Sequence, residues 1–96
     1  MTFEGCEWDA AKSERCLAER GFDFAFAARL FDESEYWEEP SQQRHREPRF
    51  IAVGRVDGLL LTVVSTPRGN RRRIISARRA SRKERQAYEQ ILESAR

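Results

Sequence analysis

The chain has 96 residues, of which 40% are hydrophobic and 35% are charged. This is material for one modest hydrophobic core and not for two, so the sequence predicts a single domain over residues 1–96. No stretch approaches the roughly 18 consecutive apolar residues of a membrane-spanning helix, and the start of the chain lacks the basic flank and apolar run of a secretory signal. We therefore expect a cytoplasmic protein with no membrane partner.

The net charge of +2 conceals two halves of opposite sign. Residues 1–48 carry 6 Lys/Arg and 12 Asp/Glu, a net charge of −6, whereas residues 49–96 carry 12 Lys/Arg and 4 Asp/Glu, a net charge of +8. Residues 68–85 alone hold nine basic side chains against one acid, Glu84. Such a block attracts phosphate backbones or acidic partners, although an ordinary solvated basic surface has the same composition.

The sequence contains few residues suited to metal or cofactor chemistry. Its two cysteines, Cys6 and Cys16, have no metal-ligand spacing, and a cytosolic pair of this kind is more often two reduced thiols than a disulfide. There is no glycine-rich phosphate loop and no acidic cluster for Mg²⁺. We expect neither a metal nor a cofactor.

The first third of the chain predicts a short strand and two helices. Residues 3–8 have the composition of a strand, and Asp9 can cap a helix over residues 10–20 that Gly21 ends. Asp23 opens a second helix, whose apolar residues recur at helical spacing and predict a buried face. These residues are Phe24, Ala27, Ala28 and Phe31.

The middle of the chain predicts a short strand and a hairpin. Tyr36-Trp37 is a candidate strand, and the polar stretch from Pro40 to Pro48 is typical of an exposed loop. Residues 49–56 and 59–66 predict two strands joined by Asp57-Gly58, a dipeptide that tolerates the positive φ angles of a tight turn.

The last third predicts a further strand and a helix. Residues 67–70 predict a turn, residues 72–78 a returning strand, and Ser81 with Glu84 a capping box that opens a helix to about Ser94. The order is β-α-α-β-β-β-β-α. The predicted fold class is α+β, a small antiparallel sheet of about four strands packed with two N-terminal helices and one C-terminal helix.

Several segments carry a resemblance to a known family. They are Trp8-Asp9-Ala10-Ala11-Lys12, Phe24 with Ala27-Ala28 and Phe31-Asp32, Arg49 to Gly54, and the block from Ile74 to Arg85. In this order and spacing they resemble the BrnT toxins. The chain departs from the family pattern at Glu19-Arg20-Gly21, where Lys-His-Gly is common, and at Ser65, where an aromatic residue is frequent.

The resemblance implies a fold similar to RelE, cleavage of RNA without a metal, and growth inhibition through loss of translation. It also implies a co-encoded BrnA-like antitoxin with a ribbon-helix-helix DNA-binding part, which holds the toxin inactive in a hetero-oligomer. Contact with DNA would then occur only through the antitoxin.

Cleavage of RNA without a metal requires activation of a 2′-hydroxyl, stabilisation of a dianionic transition state and protonation of the 5′-leaving oxygen. A single histidine excludes a two-histidine mechanism, so arginine and lysine must do most of this work. Arg78 is the first candidate for the transition state, because it ends a strand just before a capped helix. Lys12 is the candidate base, since the dipole of the first helical turn favours a neutral amine.

Other residues are candidates for binding and for proton donation. Arg49 and Arg68 would hold flanking phosphates, and His45, in the polar loop, is the candidate acid for the leaving group. Sequence-independent phosphate contacts are expected from Arg71, Arg72, Arg73, Arg79 and Arg82. Arg71 and Arg73 would lie on one face of a strand and Arg72 on the other. Tyr36 and Trp37, among several acids, are the candidate antitoxin surface.

Two other functions fit the same basic surface. A non-catalytic nucleic-acid-binding module would bind RNA with a steep salt dependence and leave it intact, but no helix-turn-helix, RNA-recognition or zinc motif is present. An interaction protein would ignore RNA and bind one acidic protein tightly.

Overall fold

The computed structural model describes residues 3–33, 35–44 and 46–93, with only the backbone at residue 93. His45, the candidate acid, and Ser94, the expected end of the last helix, lie outside the described residues. Over these ranges the chain is an α+β protein. Its elements are β1 (Cys6–Trp8), α1 (Ala10–Arg20), α2 (Phe24–Ala28), α3 (Leu30–Glu33), β2 (Tyr36–Pro40), β3 (Phe50–Val56), β4 (Leu59–Arg68), β5 (Arg71–Arg79) and α4 (Arg82–Tyr88), followed by a π-helical turn (Glu89–Glu93).

The predicted helix and turn signals are confirmed. The side chain of Asp9 accepts a hydrogen bond from the Lys12 amide at 3.0 Å, and Gly21 ends α1 with φ of 86°. Asp23 caps α2 through the Phe26 amide at 2.9 Å. The turn between β3 and β4 has positive φ at both Asp57 (48°) and Gly58 (81°), as its sequence predicts. The expected second helix is divided into α2 and α3 at Arg29.

The sheet corrects part of the predicted fold. Its strand order is β1-β5-β4-β3-β2, so the described residues form five strands rather than about four. The pairs among β2, β3, β4 and β5 are antiparallel, but β1 pairs in parallel with β5, from Cys6 opposite Arg72 to Trp8 opposite Ile74. The sheet is therefore mixed. The three helices α1, α2 and α3 carry the chain from β1 at one edge of the sheet to β2 at the other, and β1 runs opposite to β2 and therefore parallel to β5.

Helices pack on both faces of the sheet, but not equally. On the first face, Phe24, Ala27 and Leu30 of α2 and α3 pack with sheet residues such as Leu61 and Ile74 to form the larger core. Each fully buried leucine in it contributes about 2 kcal/mol to the free energy of folding. On the second face, α4 and the turn after it cover a smaller cluster of buried residues. This cluster comprises Val53, Leu60 and Tyr88, with Trp37, Ala80 and Leu92 partly buried around it.

A β-bulge in β5 sets which residues reach each face. Val64 pairs with Ser76 but Ser65 pairs with Ile74, so Ile75 is an extra residue in β5. As a result Ile74 and Ala77, three residues apart, both belong to the larger core. Arg78 consequently lies on the second face, where it contacts Glu84 of α4. The part of the second face that α4 leaves uncovered is called the open face below.

None of the helices in the described part of the chain combines the length and the apolar character that a membrane span requires.

Candidate functional site

A groove of about 620 Å³ lies on the open face. Three aliphatic side chains from neighbouring strands line it, Ile51 of β3, Val64 of β4 and Ile75 of β5. The basic side chains that line it are Arg49, Arg78 and Lys83, and the remaining lining residues are Glu39, Ser41, Gln42, Gln43 and Ser76. We call this the β3–β5 groove. It brings together two of the predicted catalytic residues, Arg49 and Arg78, and one basic residue that the sequence did not single out, Lys83.

Arg78 is held by Glu84 in a two-point ion pair. Its Nη1 donates to Glu84 Oε1 at 2.7 Å and its Nη2 donates to Oε2 at 3.0 Å, while Nη1 also donates to the Arg79 carbonyl at 3.3 Å. The Nε atom has no hydrogen-bond acceptor among the described residues. With 43% of its side chain exposed, Arg78 therefore keeps one guanidinium edge, Nε and the second Nη2 hydrogen, for an external oxyanion.

Glu84 is the hub of this arrangement. It also accepts a hydrogen bond from the Ser81 amide at 2.9 Å, which completes the capping box of α4, and one from the Thr62 hydroxyl at 3.0 Å. Burial acts to raise the pKa of the Glu84 carboxyl, but the hydrogen bonds from Arg78, Ser81 and Thr62 outweigh it and hold the pKa at about 2. The carboxylate is thus ionised near neutral pH, and it raises the pKa of Arg78.

Arg49 precedes β3 and is fixed by contacts on both sides. Its Nε and Nη2 atoms donate to Glu47 at 3.1 and 3.0 Å. Its carbonyl accepts a hydrogen bond from the Ser41 amide at 2.8 Å, and the carbonyl of the preceding Pro48 accepts one from the Thr66 hydroxyl at 2.6 Å. The backbone at the start of β3 is therefore well anchored, with 27% of the Arg49 side chain exposed.

Lys12 lines a second recess, which is formed mainly by residues of α1 and β5. This recess of about 200 Å³ includes Ile75 and Ser76, which also line the β3–β5 groove. Glu19 and Arg20, at the departure from the family pattern, line the same recess. Lys12 itself is exposed in the first turn of α1. The structure thus places Lys12 next to the groove but not among the residues that line it.

The remaining predicted contacts are spread over a wider surface. Arg68 pairs with Arg71 next to the turn between β4 and β5. It is six residues along β4 from Thr62, the partner of Arg78, a separation of about 20 Å. Arg73 is paired with Glu7 of β1 at 2.8 Å, and Arg71 donates to the Cys6 carbonyl at 3.4 Å. Arg79 and Arg82 are exposed at the two ends of the β5–α4 connection.

Arg72 is different, and its expected role as a phosphate contact is not supported. Only 7% of its side chain is exposed, and its guanidinium is ion-paired with Glu38 of β2. It also donates to Ser65 Oγ at 3.1 Å and lies 3.9 Å from the ring centre of Phe31. The serine at the second departure from the family pattern is therefore a partner of this interior arginine. These contacts occupy the guanidinium of Arg72 and tie it to the interior of the fold.

The two aromatic residues of β2 lie on opposite faces of the sheet. Tyr36 packs edge-to-face against Phe31 at 5.2 Å between ring centres, on the side of the larger core. Trp37 packs with Val53 and Tyr88 on the side of α4. Both are half-buried in β2, an edge strand of the sheet.

The sequence did not single out the contributions of Lys83, the aliphatic floor of the groove, or the pairing of Glu84 with Arg78. Lys83 was visible only as one of nine basic residues in a block. Glu84 was recognised by its spacing from Ser81 as a helix cap, but local spacing carries no information about a partner on β5. Its place as the one acid within residues 68–85 was the available signal.

Fold and groove together define a class of protein, a small α+β domain that gathers arginine and lysine around an exposed sheet surface. The described residues contain no cluster of His, Cys, Asp and Glu that could hold a metal ion. The sequence model of the family described as "Ribonuclease toxin, BrnT, of type II toxin-antitoxin system" matches residues 8–84. The chain belongs to this family. A search of the curated proteins finds no significant match.

Family membership confirms the resemblance seen in the sequence and makes the chain a ribonuclease toxin of a type II toxin–antitoxin system. It implies an RNA target and an antitoxin partner. The matched range contains all the residues that line the groove, and also Lys12 and Glu84 beside it.

Proposed function

We propose that the chain is an endoribonuclease that cleaves RNA without a metal and that the β3–β5 groove is its site. The observation that carries the proposal is the convergence of Arg49, Arg78 and Lys83 on one groove in a member of a ribonuclease family. We place its action in the cytoplasm, where RNA and antitoxin are both present.

The proposed reaction is attack of a 2′-hydroxyl on the adjacent phosphorus. The bond from phosphorus to the 5′-oxygen of the next nucleotide breaks, leaving a 2′,3′-cyclic phosphate on one product and a 5′-hydroxyl on the other. The proton of the 2′-hydroxyl passes to a base, and an acid supplies a proton to the 5′-oxygen. No oxidant, cofactor or metal is needed for this balance.

Arg78 is the proposed stabiliser of the transition state. Glu84 holds the Nη1–Nη2 edge of its guanidinium, and the Nε–Nη2 edge has two hydrogens to offer to non-bridging phosphate oxygens. A donor fixed before the reaction loses little entropy when charge develops on the phosphate, which is the condition for effective electrostatic catalysis.

The other proposed roles follow the positions of the side chains. Lys12, in the recess beyond Ile75 and Ser76, is the proposed base, and Arg49 would bind a neighbouring phosphate. His45 is retained as the proposed acid because the loop that contains it contributes Ser41, Gln42 and Gln43 to the groove. Arg68, Arg71, Arg73, Arg79 and Arg82 would add affinity for the RNA backbone.

The antitoxin is proposed to be a BrnA-like protein with a ribbon-helix-helix part, bound as a hetero-oligomer. Strand β2 is proposed as its contact surface, with Tyr36 and Trp37 as the contact residues. An edge strand that carries an aromatic residue on each face can be contacted by a partner protein from both sides of the sheet.

Cleavage of RNA by the purified chain in the presence of EDTA tests the proposal. We expect cleavage to persist in EDTA and to produce cyclic phosphate ends, and expression without antitoxin to arrest growth. Loss of cleavage in EDTA would exclude the metal-independent mechanism. If the RNA stays intact, and the affinity of the chain for RNA falls steeply with salt concentration, the chain is instead a non-catalytic binding module.

Arg78→Ala locates the site. We expect the cleavage rate to fall by a factor of about 10²–10³, the usual effect of removing one transition-state donor. Arg29→Ala is the matched control, because Arg29 is paired with Glu33 and Asp57 and does not line the groove. Full toxicity of Arg78→Ala would show that the site lies elsewhere.

A further inference from the structure

The floor of the β3–β5 groove is apolar, although phosphate binding requires only its basic rim. Ile51 pairs directly with Val64 across β3 and β4, and Ile75, the bulge residue of β5, lies beside them. All three are half-buried and line the groove. Partly exposed aliphatic side chains on three adjacent strands form a continuous surface that calls for an apolar occupant.

The size of this floor matches a nucleobase. Neighbouring strands lie about 4.8 Å apart, so side chains on three strands span about 10 Å, the scale of one base. The groove volume of about 620 Å³ leaves room for the ribose and phosphate as well.

Basic residues bracket the floor along the strand direction. Val64 is opposite Ile51, and two residues before it Thr62 is opposite Arg78. Two residues after Val64, Thr66 bonds to the Pro48 carbonyl, next to Arg49. Each of these steps along β4 is about 7 Å. A single RNA strand running from Arg49 to Arg78 would therefore pass its base over the floor while its phosphates meet an arginine on either side.

The side of the groove offers hydrogen-bonding groups for the edge of a base. Ser41, Gln42 and Gln43 line it from the loop after β2, and amide and hydroxyl groups can donate to and accept from nucleobase edges. Sites for unstacked nucleotides combine a surface for the base, most often aromatic, with polar groups for its edge and basic groups for the backbone; here the surface for the base is aliphatic.

We propose that Ile51, Val64 and Ile75 form the seat of one unpaired base, so that the substrate is single-stranded RNA. The base lies with its face on the three aliphatic side chains. A duplex does not fit, because its bases are stacked and cannot turn a face toward the floor. This inference rests on the proposed use of the groove for RNA, but not on the catalytic role of Arg78.

The test is a double-mutant cycle between protein and RNA. The probe is a short, fluorescein-labelled, 2′-O-methylated single strand, which cannot undergo 2′-hydroxyl attack, together with a set in which one base at a time is absent. The variant is Val64→Thr/Ile75→Thr, which keeps β-branched residues in the sheet. We expect wild type to lose about fivefold in affinity when the seated base is absent. The variant should bind the intact strand as weakly as wild type binds the strand that lacks the base. Removal of the base should then reduce the affinity of the variant no further.

Two controls separate a base seat from general effects. Ile91→Thr makes the same kind of change at an exposed position outside the groove and should leave the affinity unchanged. Lys83→Ala should weaken binding to every strand equally and reduce its salt dependence. Circular dichroism and melting temperatures establish that each variant is folded.

The seat would be overturned if the variant lost affinity equally for intact and base-deleted strands, or if duplex RNA bound as tightly as single-stranded RNA. It would also be overturned if the variant bound RNA normally but lost affinity for the antitoxin. Cleavage is assayed separately with unmodified RNA. If the RNA is cleaved but the effects of removing the base and of substituting Val64 and Ile75 are independent, the seat alone is disproved. If these effects are coupled but the RNA is not cleaved, the catalytic proposal alone is disproved.

Discussion

Arg72 and Arg78 are six residues apart on the same strand, and each forms an ion pair with a glutamate. Arg72 faces the larger core, where Glu38, Ser65 and Phe31 enclose its guanidinium. Arg78 lies on the open face, where Glu84 occupies one edge of the guanidinium and leaves the other edge without an acceptor among the described residues. Arg72 stabilises the fold, whereas Arg78 can serve a ligand. A basic run in a sequence therefore does not tell which of its members can contact a phosphate.

Among the substitutions that test this difference between Arg72 and Arg78, replacement of Arg72 should have the largest effect, and the effect is on stability. Arg72→Ala removes one partner of a nearly buried ion pair and leaves Glu38 without compensation, so it should cost about 3–5 kcal/mol of unfolding free energy. Urea denaturation measures this cost. Arg73→Ala is the neighbouring control, since its pair with Glu7 is partly exposed and should contribute less than about 1 kcal/mol. Equal losses in the two variants would contradict the interior role of Arg72.

A smaller effect is expected at Glu84. Gln is accepted in a capping box, so Glu84→Gln keeps the helix cap but removes the charge that fixes Arg78. We expect a loss of about 1–2 kcal/mol in stability and a fall of about tenfold in the single-turnover cleavage rate, which corresponds to about 1.4 kcal/mol. Substrate affinity should change less than the rate.

Ser81→Ala is the control for Glu84→Gln. It removes the side-chain cap of α4 and costs about 1 kcal/mol in stability without touching the Arg78 pair. If Ser81→Ala slowed cleavage as much as Glu84→Gln, the effect would pass through the helix rather than through the orientation of Arg78.

The acid dependence of stability gives a third test. The pKa of Glu84 is lowered from its ordinary value of 4.5 to about 2, so its contribution to stability is complete above pH 4.5 and is lost as the pH falls toward 2. Acid unfolding followed by tryptophan fluorescence should therefore be shallower in this range for Glu84→Gln than for wild type. Identical pH profiles would show that Glu84 does not titrate with folding.

The smallest effect is expected at Arg29, which contacts neither arginine's ion pair and does not line the groove. Arg29→Ala breaks exposed pairs with Glu33 and Asp57, and exposed pairs contribute little in water. The melting temperature and the cleavage rate should both remain close to wild type. A large change in rate would show that the catalytic surface extends around α2 and α3.

Local signals in the sequence predicted much of this fold. Asp9, Asp23 and Ser81 cap helices, and Asp57-Gly58 makes the tight turn, because each of these features depends on a few consecutive residues. The long-range features were not accessible in the same way. The parallel pairing of β1 with β5 joins residues about 66 positions apart, and no local pattern encodes such a pairing.

The candidate site shows the same division. Arg49 and Arg78 were chosen because strand ends present side chains, and both line the groove. The burial of Arg72 was missed because it depends on Glu38 from β2, Ser65 from β4 and Phe31 from α3. Regular alternation from Ile74 predicts Ser76 in the core, but the core residue is Ala77. The bulge that changes this alternation leaves no clear mark in the sequence.

The extra residue in β5 changes which alternate positions of the strand face the core. Before Ile75 the residues that face the core are Arg72 and Ile74, and after it the residue that faces the core is Ala77. Substitution of Ile75 by another residue would keep this arrangement, and deletion of one residue there would give a regular strand in which Ala77 still faces the core and Arg78 still faces the open face. We therefore expect related chains to vary at this position both in residue identity and in the presence of the extra residue, while the residue that corresponds to Arg78 stays on the open face.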